Sequence, residues 1–81
     1  MILIDVHVPV LDQAYDFELD EDSEVGMLME EILDLLSNKE QLTVKRSEDI
    51  YLYTLGQENI LERNKTLKQQ GVCDGDRLIL I

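Results

Sequence analysis

Two residue types that could support nucleophilic catalysis occur once each in this chain, the histidine His7 and the cysteine Cys73. Nucleophilic catalysis needs a serine or cysteine beside a base that is itself held in position. His7 falls on the outward side of a predicted strand, and Cys73 comes just before the turn dipeptide Asp74-Gly75. We therefore expect His7 to be a surface residue and Cys73 to be a small, semi-buried packing residue, with no catalytic role for either.

Carboxylates are plentiful, which raises the question of a metal site. The segment from Asp20 to Glu24 reads Asp-Glu-Asp-Ser-Glu and is close to a calcium loop in composition. It lacks the mid-loop glycine and the glutamate at the twelfth position on which such loops depend. The nearby Gly26 stands alone inside a predicted helix and cannot form a phosphate-binding loop. We predict no catalytic, metal-binding or cofactor-binding residue, and the sequence does not support an enzyme.

The net charge of −11 is unevenly distributed along the chain. Residues 1–38 hold eleven acidic residues and no lysine or arginine, whereas residues 39–81 hold seven of each sign. A field of this kind repels phosphates, which argues against nucleic-acid binding and against docking on anionic lipid. Two explanations remain open: an acidic surface for a basic protein partner, and a charge that keeps the domain in solution.

The remaining composition favours a single cytoplasmic domain over residues 1–81. One cysteine cannot form an internal disulfide, which fits a reducing compartment. The longest apolar run, Leu78 to Ile81, is far shorter than the ~20 residues of a membrane span. The first residues lack the basic segment and apolar run of a signal peptide. We expect a cytoplasmic protein with no direct membrane insertion.

Alternating apolar residues predict strands, and a period of three to four predicts one helix. The first half contains a strand ending before Pro9, a second strand over residues 15–19, and a helix whose best predicted cap is Ser23, with Asp22 nearly as good. The apolar stripe of that helix is Val25, Leu28, Met29, Ile32 and Leu36. The helix is predicted to end at Ser37-Asn38, and residues 38–49 are predicted to form a loop that packs through Leu42 and Val44.

The second half contains shorter elements separated by turns. A strand over residues 50–53 precedes a turn at Gly56, and a short strand follows at Ile60-Leu61. Thr66 is predicted to cap one helical turn that Gly71 ends, and a last strand covers residues 77–81. A hairpin followed by a helix must lay that helix across one sheet face, with the last strand parallel to the first at the sheet centre.

The chain ends with Leu67, the pair Gly71-Val72, and the run Asp74-Gly75-Asp76-Arg77-Leu78 with the apolar strand that follows. This ending is similar to the YukD/EsaB family of bacterial ubiquitin-like proteins, and the order of the elements resembles the β-grasp of ubiquitin. The resemblance implies an α+β ubiquitin-like fold, with a mixed sheet of four to five strands and one main helix across one face. It also implies an accessory component of a type VII (WXG-type) secretion system that binds other components of that system.

Ubiquitin and the sulfur-carrier β-grasp proteins act through a flexible Gly-Gly tail. The sequence reaches Ile81 without one, so we expect no conjugation; a native C-terminus extending to Gly-Gly would instead indicate a covalent modifier or sulfur carrier. A further alternative is a ubiquitin-like regulatory domain of a larger membrane or enzyme complex.

Binding to proteins is the function that remains, and strand parity predicts where it occurs. If Ile4, Leu52 and Leu80 face the helix, the alternate residues lie on the opposite sheet face. These residues form an expected protein-binding patch of Leu3, Tyr51, Tyr53, Ile79 and Ile81. Contiguous apolar residues on an exposed sheet face often mark a contact site, here for a protein partner or a second copy of the chain. Cross-strand packing that stabilises the sheet is the alternative explanation.

Overall fold

The computed structural model describes residues 1–40 and 50–81, so the predicted loop anchors Leu42 and Val44 lie outside the described residues. Its elements confirm the α+β class and follow the predicted order. They are strand β1 (Ile2–Val8), a 3-10 turn (Pro9–Leu11), β2 (Gln13–Leu19), helix α1 (Val25–Glu40), β3 (Leu52–Thr54), β4 (Asn59–Ile60) and β5 (Arg77–Leu80).

The five strands form one mixed sheet in the order β2-β1-β5-β3-β4. The hairpin partners β1 and β2 are antiparallel, and β5 runs parallel to β1 on its other side. Antiparallel pairing joins β5 to β3 and β3 to β4. The last strand therefore occupies the sheet centre beside the first, as predicted. This placement leaves β2 and β4 as the two edges of the sheet among the described residues.

One sheet face and one helix face make the core. Every second residue of β1 from Ile4 to Val8 is buried, as are Leu52, Leu78 and Leu80. All five residues of the predicted helix stripe are buried, and Leu33 joins them. The buried face of the sheet therefore packs against the apolar stripe of α1, and α1 leaves the second face of the sheet uncovered.

The start of α1 differs from the prediction, because Ser23 is not its cap. The Ser23 hydroxyl donates to Asp20 Oδ2 at 3.2 Å within the preceding turn. The first helical amides, of Val25 and Gly26, donate instead to the carbonyls of Lys65 and Arg63, both at 3.0 Å. A distant backbone segment thus satisfies donors that a side chain usually caps. The helix also continues to Glu40, two residues beyond the predicted end at Ser37-Asn38.

The short elements of the second half are close to the predictions. Thr66 and Gln69 form a reciprocal cap, with the Gln69 amide donating to Thr66 Oγ1 and the Thr66 amide to Gln69 Oε1, both at 3.0 Å. Gly71 follows in a left-handed conformation, with φ +74°. β4 begins one residue earlier than predicted, so Ile60 is its last residue and Leu61 is a buried residue after it.

Two glycines provide a matched stability test. Gly75 has φ +87° in the turn before β5, and its amide donates to the Leu3 carbonyl at 2.7 Å. An added Cβ would meet nothing within 4 Å at Gly75 or at Gly56, and only Gly75 has a positive φ. Gly75→Ala should therefore cost about 1–2 kcal/mol of unfolding free energy through backbone strain alone.

The Gly56→Ala variant is the control for that prediction. It should be neutral or stabilising by up to about 1 kcal/mol, because alanine restricts the unfolded chain. Urea unfolding of the two variants beside the wild type measures both values. Equal losses at the two positions would show that the turn at Gly75 does not need its left-handed backbone.

Candidate protein-binding surface

The face of the sheet opposite α1 carries two apolar cross-strand pairs at its centre. Tyr53 of β3 and Ile79 of β5 are directly opposed in the antiparallel register. Tyr51 and Ile81 continue the same ladder, with their amides donating to each other's carbonyls at 2.7 and 2.9 Å. The neighbouring positions Leu52 and Leu80 are buried under the helix. Strand parity therefore puts the four side chains together on the outer face.

The sequence reading missed one residue of this surface, Ile60. It is the direct partner of Tyr53 on β4 and is 46% exposed, whereas the following Leu61 is buried. Directly opposed residues of antiparallel strands share a face, so Ile60 extends the surface to a third strand. Parity predicts which of Ile60 and Leu61 is exposed only when the pairing register of this strand is known. The sequence alone does not give the register of a strand of two residues. We call the five side chains Tyr51, Tyr53, Ile60, Ile79 and Ile81 the sheet-face patch.

Leu3 lies on the same face of the sheet but away from the sheet-face patch. The parallel register pairs His7 with Ile79 and Asp5 with Arg77, so Leu3 is one further step along β1. Arg77 Nε and Asp5 Oδ2 form an ion pair at 2.9 Å. This charged row separates the 45% exposed Leu3 from the other four residues predicted with it. The structure thus brings together four of the five predicted residues and leaves Leu3 apart from them.

The sheet-face patch offers contact area rather than reactive groups. Tyr51 is 46% exposed and Ile81 is 53% exposed, while Tyr53 and Ile79 are half-buried between neighbouring strands. Tyrosine and β-branched side chains lose little conformational freedom on binding, and aromatic residues are enriched in protein interfaces. The surface can therefore exclude water against an apolar partner surface, with the two phenol groups available for hydrogen bonds.

The residues considered for chemistry lie elsewhere. His7 is half-buried on the outer face of β1, beside Ile79. Cys73 is exposed, which corrects the expectation of a semi-buried packing residue. Its thiol donates to the Gly71 carbonyl at 3.6 Å, and its amide donates to Asp76 Oδ2 at 2.8 Å. The following turn is anchored to β1, because the Leu3 amide donates to Asp74 Oδ1 and the Gly75 amide donates to the Leu3 carbonyl, both at 2.7 Å.

The acidic segment before α1 has a structural explanation. Carboxylate oxygens of Asp20, Glu21 and Asp22 lie within 4.8 Å of one another. Asp20 Oδ1 accepts the Asp22 amide at 2.9 Å, and Asp20 Oδ2 accepts the Ser23 hydroxyl. Asp20 therefore acts as the side-chain acceptor of the turn that leads into the helix.

Within the described residues, no helix has the length and apolar character needed to cross a membrane.

A family-model comparison matches residues 3–80 to YukD, described as a protein of the WXG100 protein secretion system. A search of curated proteins found no match. Among solved structures, the EccD5 ubiquitin-like domain from Mycobacterium xenopi superposes with a TM-score of 0.77 at 19% identity, covering 99% of this chain and 91% of that chain. A ubiquitin-like domain from Arabidopsis thaliana gives a TM-score of 0.74 at 18% identity, covering 99% of this chain and 74% of that chain. A computationally designed protein based on human erythrocytic ubiquitin gives 0.74 at 25% identity, covering 100% of this chain and 90% of that chain. These likenesses confirm the ubiquitin-like fold.

Proposed function

The chain belongs to the YukD family of the WXG100 protein secretion system, and from this premise we propose that it is an adaptor or regulator of such a system. It acts in the cytoplasm, by binding a protein component of the secretion machine rather than by catalysing a reaction. It needs no cofactor or metal for this task.

The observation that carries the proposal is the sheet-face patch. Three of its members, Tyr51, Ile60 and Ile81, are between 46% and 53% exposed, on the face that α1 leaves open. Scattered apolar residues are ordinary on protein surfaces, but a contiguous group across three strands is typical of a contact site. Cross-strand packing accounts for the half-buried Tyr53 and Ile79, but it does not account for the exposure of the other three.

Copurification tests this proposal. The tagged chain, expressed in its native host, should capture a component of the WXG100 secretion system, and Ile79→Ser should abolish that capture. Val10→Ser is the matched control, because Val10 is an 81% exposed apolar residue of the 3-10 turn, outside the sheet-face patch. Capture by the wild type and the control, but not by Ile79→Ser, supports the proposal. Equal capture by all three proteins contradicts it.

A second copy of the chain is the competing occupant of the patch. Sedimentation of the purified protein distinguishes the two cases. A monomer that binds the secretion component supports the adaptor. A dimer that Ile79→Ser converts to monomer, without capture of any secretion component, would assign the patch to self-association and overturn the proposal.

The charge of the chain leads to a kinetic prediction. Eleven acidic residues and no basic residue within residues 1–38 should steer a basic partner toward the domain. Exposed charges are screened beyond about 8 Å at 0.15 M salt, so the association rate constant should fall markedly between low and physiological salt. Stopped-flow or surface-based kinetics with the captured component provides the measurement. An association rate independent of salt would contradict this steering and leave solubility as the role of the overall negative charge.

A further inference from the structure

A groove lies at the β2 edge of the sheet, on the helix side. It has a volume of about 270 Å³ and is lined by Tyr15, Asp16, Phe17, Leu35 and Leu36. Leu36 is buried in the core, whereas Leu35 is 56% exposed. The two rings of Tyr15 and Phe17 lie side by side, with centroids 6.2 Å apart. An apolar floor with an exposed leucine at its rim therefore runs between an edge strand and the helix.

Hydrogen bonds in the sheet centre determine which way the backbone of β1 points. The Asp5 amide donates to the Asp76 carbonyl at 3.0 Å, and the Leu3 carbonyl accepts the Gly75 amide. The odd-numbered residues of β1 therefore bond toward β5. Because the backbone groups of successive residues point to opposite sides of a strand, the even-numbered residues of β1 bond toward β2.

The same alternation identifies the backbone groups of β2 that have no strand partner within residues 1–40 and 50–81. The register pairs Ile4 with Phe17 and Val6 with Tyr15, so Phe17 and Tyr15 direct their backbone groups toward β1. Ala14, Asp16 and Glu18 then direct theirs away from the sheet. Such a row of amides and carbonyls on an edge strand is a template for an added strand.

The charges around this edge specify what kind of strand fits. Asp16 and Glu18 are exposed on the outer face of β2. On the helix side, Glu31 is exposed and lies four residues before Leu35, on the same side of α1. Lysine and arginine are absent from residues 1–38. A strand added here has one set of side chains over the apolar groove and the alternate set beside carboxylates.

We propose that the β2 edge and its groove bind an extended peptide segment of a protein partner in which apolar and basic residues alternate. The apolar side chains enter the groove against Leu35 and the aromatic rings, and the basic side chains pair with Asp16 and Glu18. Self-pairing of two β2 edges would place like carboxylates opposite each other, which is unfavourable.

The test uses a blocked eight-residue peptide of alternating valine and lysine, titrated into the full chain labelled with ¹⁵N. Amide shifts should be concentrated at Ala14, Asp16, Glu18 and Leu35, and leave the sheet-face patch unchanged. A peptide of alternating valine and glutamate should not bind. Shifts at Tyr53 and Ile79 instead, or equal binding of the two peptides, would overturn the inference.

Two N-methylated peptides test strand addition without altering the protein. Methylation of the backbone nitrogens of the valines removes one alternate set of amide donors, and methylation of the backbone nitrogens of the lysines removes the other. In strand addition only one set faces β2, so one of the two methylated peptides should lose binding and the other should retain it. Equal loss or equal retention would indicate nonspecific charge attraction and overturn the inference.

Variants at two exposed apolar residues of α1 test the groove. Leu35→Ser should weaken peptide binding about tenfold, because it removes an apolar contact from the groove. Met27→Ser is the control, since Met27 is a 60% exposed apolar residue of the same helix that does not line the groove. Equal effects of the two variants would overturn the assignment. Failure of this site leaves the sheet-face patch untouched, because the patch is tested by other residues and another ligand.

Discussion

Leu78→Ala is expected to lower the free energy of unfolding by about 2–5 kcal/mol, the usual cost of truncating a fully buried leucine. Leu78 is completely buried in the central strand β5 and faces α1. Ile79→Ser, at the next residue of the same strand, should cost only about 1 kcal/mol, because its side chain lies on the outer face. Chemical denaturation of both variants measures the difference.

Leu52→Ala provides a second core position for this comparison. Leu52 is completely buried in β3 and should behave like Leu78→Ala. Domains of this size have about 5–15 kcal/mol of stability, so either core variant removes a large share of it. An Ile79→Ser protein that unfolds as readily as the Leu78→Ala protein would show that the outer face is part of the packed core. The sheet-face patch could then not be an exposed binding surface.

Tyr51→Ser is expected to weaken binding of the secretion component by about 2 kcal/mol or more, roughly 30-fold in the dissociation constant, as truncation of an interface tyrosine does. Tyr51 is 46% exposed and lies just before β3, so its substitution should leave the fold intact. Val10→Ser, at the 81% exposed residue of the 3-10 turn, should leave the affinity unchanged. Calorimetric titration of the captured component into each variant gives the dissociation constants.

A thermal melt of each variant should accompany this titration, to show that the variant is folded. Tyr51→Ser should melt within a few degrees of the wild type, so that any loss of affinity reports on contact rather than on unfolding. A folded Tyr51→Ser protein with wild-type affinity would mean that this tyrosine only packs on its neighbours.

The pattern of apolar residues predicted most of the fold. Alternation in the first strands and the stripe from Val25 to Leu36 were sufficient because each element buries one face against the other. The Asp74-Gly75 dipeptide likewise predicted a turn, because a backbone position with positive φ strongly favours glycine. These features are local, or depend on one simple interface.

Features that depend on distant partners could not be read from the sequence. The amides at the start of α1 bond to the carbonyls of Lys65 and Arg63, so Ser23 was an obvious local cap that the tertiary structure does not use. Gln70 is a second residue whose role depends on a distant partner. Its side chain accepts the Glu62 amide at 2.7 Å and donates to the Glu62 carbonyl at 2.9 Å, closing the preceding loop.

The sequence predicted on which sheet face the residues of the candidate site lie, but not which of them are neighbours on that face. Parity placed Tyr51, Tyr53, Ile79 and Ile81 on the outer face because the buried alternates are strongly apolar. Strand register decides which residues touch, and the offset between β1 and β5 could not be derived from composition. That offset inserts the ion pair of Asp5 and Arg77 beside the patch and separates Leu3 from it.

The most direct test of the central claim is an NMR footprint of the captured secretion component on the ¹⁵N-labelled chain. Amides of the sheet-face patch, at Tyr51, Tyr53, Ile60 and Ile79, should shift or broaden, while those of the central turns of α1 on the opposite side of the domain stay unchanged. A footprint on α1 that leaves the amides of β3 and β5 unaffected would contradict the account, because the surface proposed to bind the partner would then remain free in the complex.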